Sequence, residues 1–135
     1  MKVKDLLRSK KPPVTIAQHS TIDKAMKLLI EHKIGSLIVV DETGHPVGII
    51  TERDIFHLAF RYRGDVMDMT VKDIMSGNLI MGKPGDDLDL IAELIAHNHI
   101  RHVPIMDDGR LIGIVSIRDI MHARAKGLAG NPLEA

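Results

Sequence analysis

Apolar residues Ile22, Ala25, Met26, Leu29 and Ile30 recur at three- and four-residue intervals, which predicts an amphipathic helix with one buried face. Ser20 or Thr21 is placed to cap it, it should end near His32-Lys33, and Gly35 is the expected left-handed terminator. Leu37 to Val40 and Val47 to Ile50 are continuous apolar runs on either side of the turn residues Asp41-Glu42-Thr43-Gly44, the pattern of a hairpin covered on both faces. A further helix should run from Thr51 to about Tyr62, closed by Gly64. Ahead of these elements, Val3–Leu7 reads as one short helical turn, stopped before Pro12-Pro13, and Val14-Thr15-Ile16 as a short strand.

The same order then returns. Val71–Met75 is a helical turn, Leu79-Ile80-Met81 a strand, Leu88–His97 a helix, Val103–Met106 and Ile112–Val115 strands about the turn Asp107-Asp108-Gly109, and Ser116–Lys126 a helix. Residues repeat as well as elements: Val3-Lys4-Asp5-Leu6-Leu7 matches Val71-Lys72-Asp73-Ile74-Met75, and GIITERDI at 48–55 is answered by GIVSIRDI at 113–120. The chain is therefore expected to be of the α/β (α+β) class, two β-α-β-β-α units at 1–64 and 65–126 with a frayed tail at 127–135. A small sheet with helices on one face needs a cover for the other, so the units should pair through their sheets about a pseudo-twofold axis into one folded module with two related clefts.

Composition narrows the function. The chain has 135 residues, 44% of them hydrophobic, so each half alone would lie near the lower limit for independent folding. Aromatic residues make up only 2%, too few for a base-stacking platform, and 18 basic residues balance 18 acidic ones, leaving no field of one sign to recruit nucleic acid or an anionic membrane. No apolar run approaches the roughly 20 residues of a membrane span, and the N-terminal MKVKDLL is too short and too charged for a signal peptide. The absence of cysteine excludes disulfides, a thiolate nucleophile and Cys-ligated zinc. A cytoplasmic protein with neither nucleic acid nor membrane as partner is expected.

The duplicated motif has two chemical readings. Thr51-Glu52-Arg53-Asp54 and Ser116-Ile117-Arg118-Asp119 each fit a capping box, in which the hydroxyl accepts from a backbone N–H and the carboxylate three residues on reaches back. Capping does not account for Gly48 and Gly113 or for an arginine in both copies. In the second reading glycine admits a ligand to the backbone, the helix N-terminus and its hydroxyl meet a phosphate, the aspartate accepts from ribose hydroxyls, and Arg53 and Arg118 supply countercharge. His97, His99 and His102 could together hold a divalent metal, which makes a metal-responsive protein a further alternative. There is no nucleophile elbow and no Walker loop, so no enzyme is expected.

Two units in this order, each ending in G-h-h-T/S-x-R-D, resemble a tandem CBS-domain pair, or Bateman module, over roughly Val3 to Met121. The resemblance implies a stand-alone regulatory module for signal transduction that binds AMP, ADP, ATP or another adenosyl compound between its two copies. It also implies a homodimer, an unidentified downstream protein and no catalytic cofactor. It assigns Thr51 and Ser116 to phosphate or ribose, Asp54 and Asp119 to the ribose hydroxyls, and Val14, Thr15, Ile80 and Met81 to adenine. Ile34, Ile100 and Pro104 would wall the base pockets. Where the second copy has Arg101-His102, able to reach ligand phosphates, the first has Gly35-Ser36, so the two sites should differ in charge and in affinity for a polyphosphate. A constitutive dimerisation scaffold with empty clefts is the alternative.

Overall fold

A computed structural model of the chain describes residues 1–127; the expected tail beyond Gly127 lies outside the described residues. The fold is mixed α/β, with small sheets and short helices: α1 (Val3–Leu7), β1 (Thr15–Ala17), α2 (Ile22–His32), β2 (Ser36–Val40), β3 (Pro46–Thr51), α3 (Glu52–Tyr62), α4 (Val71–Ile74), α5 (Leu88–Asn98), β4 (His102–Asp107), β5 (Arg110–Ser116) and α6 (Ile117–Ala125).

These elements form two compact units, one of residues 14–79 and the other of residues 1–13 together with residues 80–127. Sequence repeat and spatial unit are thus offset by one element. The turn α1 opens the first repeat but packs in the unit of the second: Val3 and Leu6 are buried with Leu88 and Ile91, Val3 N–H donates to Asp86 O at 2.9 Å, and Leu88 N–H donates to Met1 O at 3.0 Å. Its counterpart α4 packs likewise in the unit of residues 14–79, where Val71 N–H donates to Ser20 O at 2.8 Å and Ile22 N–H to Met69 O at 2.8 Å. Either turn has too few residues to be stable alone, so docking at the start of a long helix is what holds it.

In the unit of residues 14–79 the sheet has three strands in the order β1-β2-β3, β1 parallel and β3 antiparallel to β2. Leu37, Ile38 and Val39 are wholly buried, as a continuous apolar run requires, and Ile22, Ala25 and Leu29 of α2 close the core with Ile50 and Ile55. Each such isoleucine or leucine contributes roughly 1.5–3 kcal/mol by leaving water. In the other unit the sheet has two strands, β4 and β5, joined by a tight turn in which Asp108 and Gly109 both adopt positive φ.

The strand expected at Leu79–Met81 does not form. Its place is held by one parallel bridge, Gly82 to Ile105, with Gly82 N–H donating to Pro104 O and Met106 N–H to Gly82 O, both at 2.9 Å. Ile16 makes the matching contact with Val39 in the other unit and is buried, whereas a Cβ on Gly82 would lie 2.6 Å from Ile91 Cδ1 and 3.0 Å from Ile105 Cδ1. The larger neighbours occupy the room of a side chain, and with a glycine at the pairing position the strand shrinks to a bridge.

The helix terminators also differ from expectation. Lys33 and Arg63, not Gly35 and Gly64, take the left-handed conformation, with φ of 53° and 49°, and His99 does the same after α5 with φ of 52°. Lys33 N–H donates to Ile30 O and Ile34 N–H to Leu29 O, so closure of the last helical turn fixes which residue must turn left-handed, whatever its side chain.

Candidate ligand-binding site

Both copies of the repeated motif form complete capping boxes. Thr51 is extended, with φ −118° and ψ 161°; its Oγ1 accepts from Asp54 N–H at 3.1 Å, and Asp54 Oδ2 accepts from Thr51 N–H at 2.9 Å. Ser116 Oγ accepts from Asp119 N–H at 3.1 Å, and Asp119 Oδ2 from Ser116 N–H at 2.8 Å. The residue before each preceding hairpin adds a third bond: Glu52 N–H donates to Gly35 O at 3.0 Å and Ile117 N–H to Arg101 O at 2.9 Å.

Of the four donors that a helix start leaves unpaired, three are therefore satisfied, and among the described residues the Arg53 and Arg118 N–H groups have no acceptor. The cap uses only one carboxylate oxygen. Oδ1 of Asp54 and Oδ1 of Asp119 have no partner among the described residues, so each aspartate can cap its helix and still accept from a ligand hydroxyl. Capping and ligand binding are compatible in this geometry.

The glycines have a packing role. A Cβ on Gly48 would strike Met75 Sδ and lie 2.9 Å from Ser76 O, because Met75-Ser76 crosses β3 and Ser76 exchanges backbone hydrogen bonds with Ile49, both 3.0 Å. A Cβ on Gly113 would lie 2.6 Å from Leu7 Cδ2. Leu7 and Met75 are equivalent positions of the repeat, so each glycine admits the segment after a helical turn. A ligand reaching the backbone there would have to displace that segment.

In the unit of residues 14–79, Thr15 is exposed and opposite Ile38, Ser36 is opposite Thr51, and half-buried Val14 and Ile34 adjoin the core. Arg53 is exposed. In the other unit, His102 is opposite Ser116, Pro104 is buried, Ile80 and Ile100 are half-buried, and Met81, Arg101 and Arg118 are exposed. The position facing the motif hydroxyl is thus a buried serine in one unit and a histidine in the other.

Sequence reasoning missed Lys10, which lies between the first helical turn and Pro12-Pro13. Lys10 Nζ donates to Asp119 Oδ2 and to Ile114 O, both at 2.6 Å. Burial alone would raise the Asp119 pKa, but the hydrogen bond from Lys10, the Ser116 N–H and the Lys10 charge outweigh it and hold the carboxyl below its ordinary value. The short motif carries no sign of this contact.

The imidazoles of His97, His99 and His102 are not gathered. Among the described residues no three His, Cys, Asp or Glu side chains come together as a metal site. His97 lies in the last turn of α5, His99 is its left-handed cap and His102 begins β4. No described helix is long and apolar enough to cross a membrane.

Two units, each with a helical turn, a hairpin and a capped G-h-h-T/S-x-R-D helix, define a duplicated mixed α/β fold. A family model described as the CBS domain matches residues 3–61 and 71–126, and the chain belongs to the CBS-domain family as a tandem pair. It is 38% identical over 119 residues to L-aspartate semialdehyde sulfurtransferase of Methanocaldococcus jannaschii, covering 87% of this chain but 22% of that protein. Its fold is similar to that of the CBS domain pair of protein MJ0100, solved in complex with 5′-methylthioadenosine and S-adenosyl-L-methionine (TM-score 0.82, 36% identity, 94% of this chain and 98% of that one). It is also similar to the CBS domain protein PAE2072 of Pyrobaculum aerophilum, complexed with AMP (TM-score 0.83, 28% identity, 95% and 98% covered).

Proposed function

We propose that this tandem CBS pair is a regulatory module that binds an adenosyl compound through its two capped motifs, performs no chemical step, and passes occupancy to a downstream protein as a homodimer. The observation that carries the reading is the uncommitted Oδ1 on both Asp54 and Asp119, at the start of a helix whose remaining donor is the arginine N–H of the same motif. Related structures solved with AMP, with 5′-methylthioadenosine and with S-adenosyl-L-methionine support the ligand class. Ligand contacts that differ between two conformations would shift the population toward the better-binding one, which is how occupancy becomes a signal. Phe56 and Phe60 on α3 are 72% and 66% exposed, and such apolar residues on one helix are suited to a second copy or a partner.

The test is calorimetry and thermal shift with AMP, ADP, ATP, NAD, 5′-methylthioadenosine, S-adenosylmethionine and divalent metals. Binding of an adenosyl compound that is reduced in Asp54→Ala and in Asp119→Ala and lost when both are changed, with the fold retained, is the expected result. The completeness of the caps and the filled space over both glycines favour one other reading, a constitutive scaffold. A silent nucleotide panel with an intact dimer would select it.

A further inference from the structure

Among the described residues, two of the three Nζ–H donors of Lys10 are engaged, by Ile114 O and Asp119 Oδ2, and one remains. The Lys10 and Asp119 side chains are 31% and 24% exposed, so the pair is within reach of a solute yet shielded enough for its charges to be felt beyond contact distance. At the other motif, among the described residues, Asp54 has no ion-pair partner. The helix starts add to the contrast, since α3 begins with Glu52 where α6 begins with Ile117. In formal charge, Glu52 and Asp54 against Arg53 leave the first motif one negative, whereas Lys10 and Arg118 against Asp119 leave the second one positive.

Resting on the adenosyl-binding reading above, we propose that Lys10 sets the charge preference of the Asp119 motif. It cancels the aspartate's repulsion of an anionic ligand while leaving Oδ1 to the ribose, so this motif takes the polyphosphate. The Asp54 motif, uncompensated, favours an adenosyl compound without phosphate. Lys10 belongs to the segment after α1, so specificity at a helix start near the C-terminal end of the chain is set from its N-terminal end.

The experiment uses the full chain carrying Asp54→Ala, which silences the first motif, and compares Lys10, Lys10→Met and Lys10→Arg by calorimetry at low salt. The probes are 5′-methylthioadenosine, AMP and ATP, which differ in negative charge. Loss of one cation several ångströms from a phosphate chain should weaken ATP about tenfold or more in Lys10→Met and AMP less. It should leave 5′-methylthioadenosine within about twofold. Lys10→Arg should restore the ATP affinity, and added salt should narrow the gap. An equal loss for all three probes would show that Lys10 only holds the segment in place, and tighter ATP binding in Lys10→Met would show that it competes with the ligand; either overturns the proposal. If the Asp54→Ala protein melts normally but binds none of the probes while the unmodified chain does, the second motif binds no adenosyl compound and the proposal falls alone. If the unmodified chain is also silent, the adenosyl reading falls with it.

Discussion

Asp54 and Asp119 occupy the same position of the same capping box, yet one faces the chain alone and the other is tied to Lys10. The local chemistry of the motif is duplicated almost atom for atom: hydroxyl to N–H at 3.1 Å in both, carboxylate to N–H at 2.9 and 2.8 Å. What differs is delivered from a distance by the segment that follows the docked helical turn, which brings Lys10 to Asp119, while among the described residues no cation pairs with Asp54. A cap is set by four consecutive residues, whereas its electrostatic setting is decided by tertiary packing. Two sites can thus keep one fold and diverge in ligand without any change in the motif.

The largest expected effect concerns the glycines. At Gly48 an added Cβ would meet the Met75 side chain and also backbone, Ser76 O, fixed by two hydrogen bonds to Ile49; at Gly113 it would meet only the end of the flexible Leu7 side chain. Gly48→Ala should therefore cost about 3 kcal/mol and Gly113→Ala about 1 kcal/mol, both by overpacking. Urea denaturation of the two variants measures the difference. Equal costs would mean that the segments after α1 and α4 yield equally, and that the repeat is more symmetric than its contacts.

Next is the carboxylate pair. Asp54→Ala removes a cap and should cost about 1 kcal/mol. Asp119→Ala also strips a half-buried ammonium of its partner and should cost about 2 kcal/mol. Because the folded-state pKa of Asp119 is depressed, its contribution is fully present above its ordinary value of 3.8 and is lost as pH falls through the lower folded value. The gap in stability between the unmodified chain and Asp119→Ala should accordingly persist at about pH 5 and close well below pH 4. A gap constant across that range would show that the Lys10 contact does not act through the carboxylate charge.

A subtler contrast lies where one unit has a strand and the other a bridge. If Ile91 occupies the room of a side chain at position 82, then Ile91→Val, which removes the Cδ1 lying 2.6 Å from an added Cβ, should make Gly82→Ala less harmful. The double-mutant cycle should show a favourable coupling of about 1 kcal/mol. Strict additivity would assign the missing strand to backbone strain or to Pro84 instead.

Hydrophobic periodicity revealed the order of the elements because each run buries one face or two, as Ile22, Ala25 and Leu29 do in α2 and Leu37 to Val39 in β2. It overstated the copy at Leu79–Met81, where apolar character was present but the pairing position fell on Gly82, and only the contacts of Ile91 and Ile105 explain why. The motif itself was readable as a cap, and its hydrogen bonds are those of a cap. Its glycines suggested room for a ligand, but the room is filled by Met75 and Leu7, side chains far away in sequence. Lys10 was invisible for the same reason, its partners Ile114 and Asp119 lying more than a hundred residues away. Periodicity reports burial, motifs report local hydrogen bonds, and neither reports what a distant segment brings.

The smallest effect tests a feature that both units share. Lys33 after α2 and His99 after α5 stand at equivalent points of the repeat, both left-handed, with φ of 53° and 52°. A side chain in that conformation crowds its own backbone, a cost that glycine avoids. Glycine also loses more freedom on folding, so the net gain from Lys33→Gly or His99→Gly should be only about 0.5 kcal/mol in each. The two gains should be equal, because here the difference between the units plays no part: closure of the last turn sets the conformation, through Ile34 N–H to Leu29 O in one and Ile100 N–H to Ile95 O in the other, at 3.1 and 3.2 Å. Gly64→Ala, one position beyond the left-handed Arg63 and with only an ordinary contact to Tyr62 O at 3.6 Å, should change stability by less than about 0.5 kcal/mol. Thermal melts of the three variants check this. A large loss in Gly64→Ala would place the terminator of α3 at the glycine after all, and unequal gains at Lys33 and His99 would extend the asymmetry of the motifs to the helices behind them.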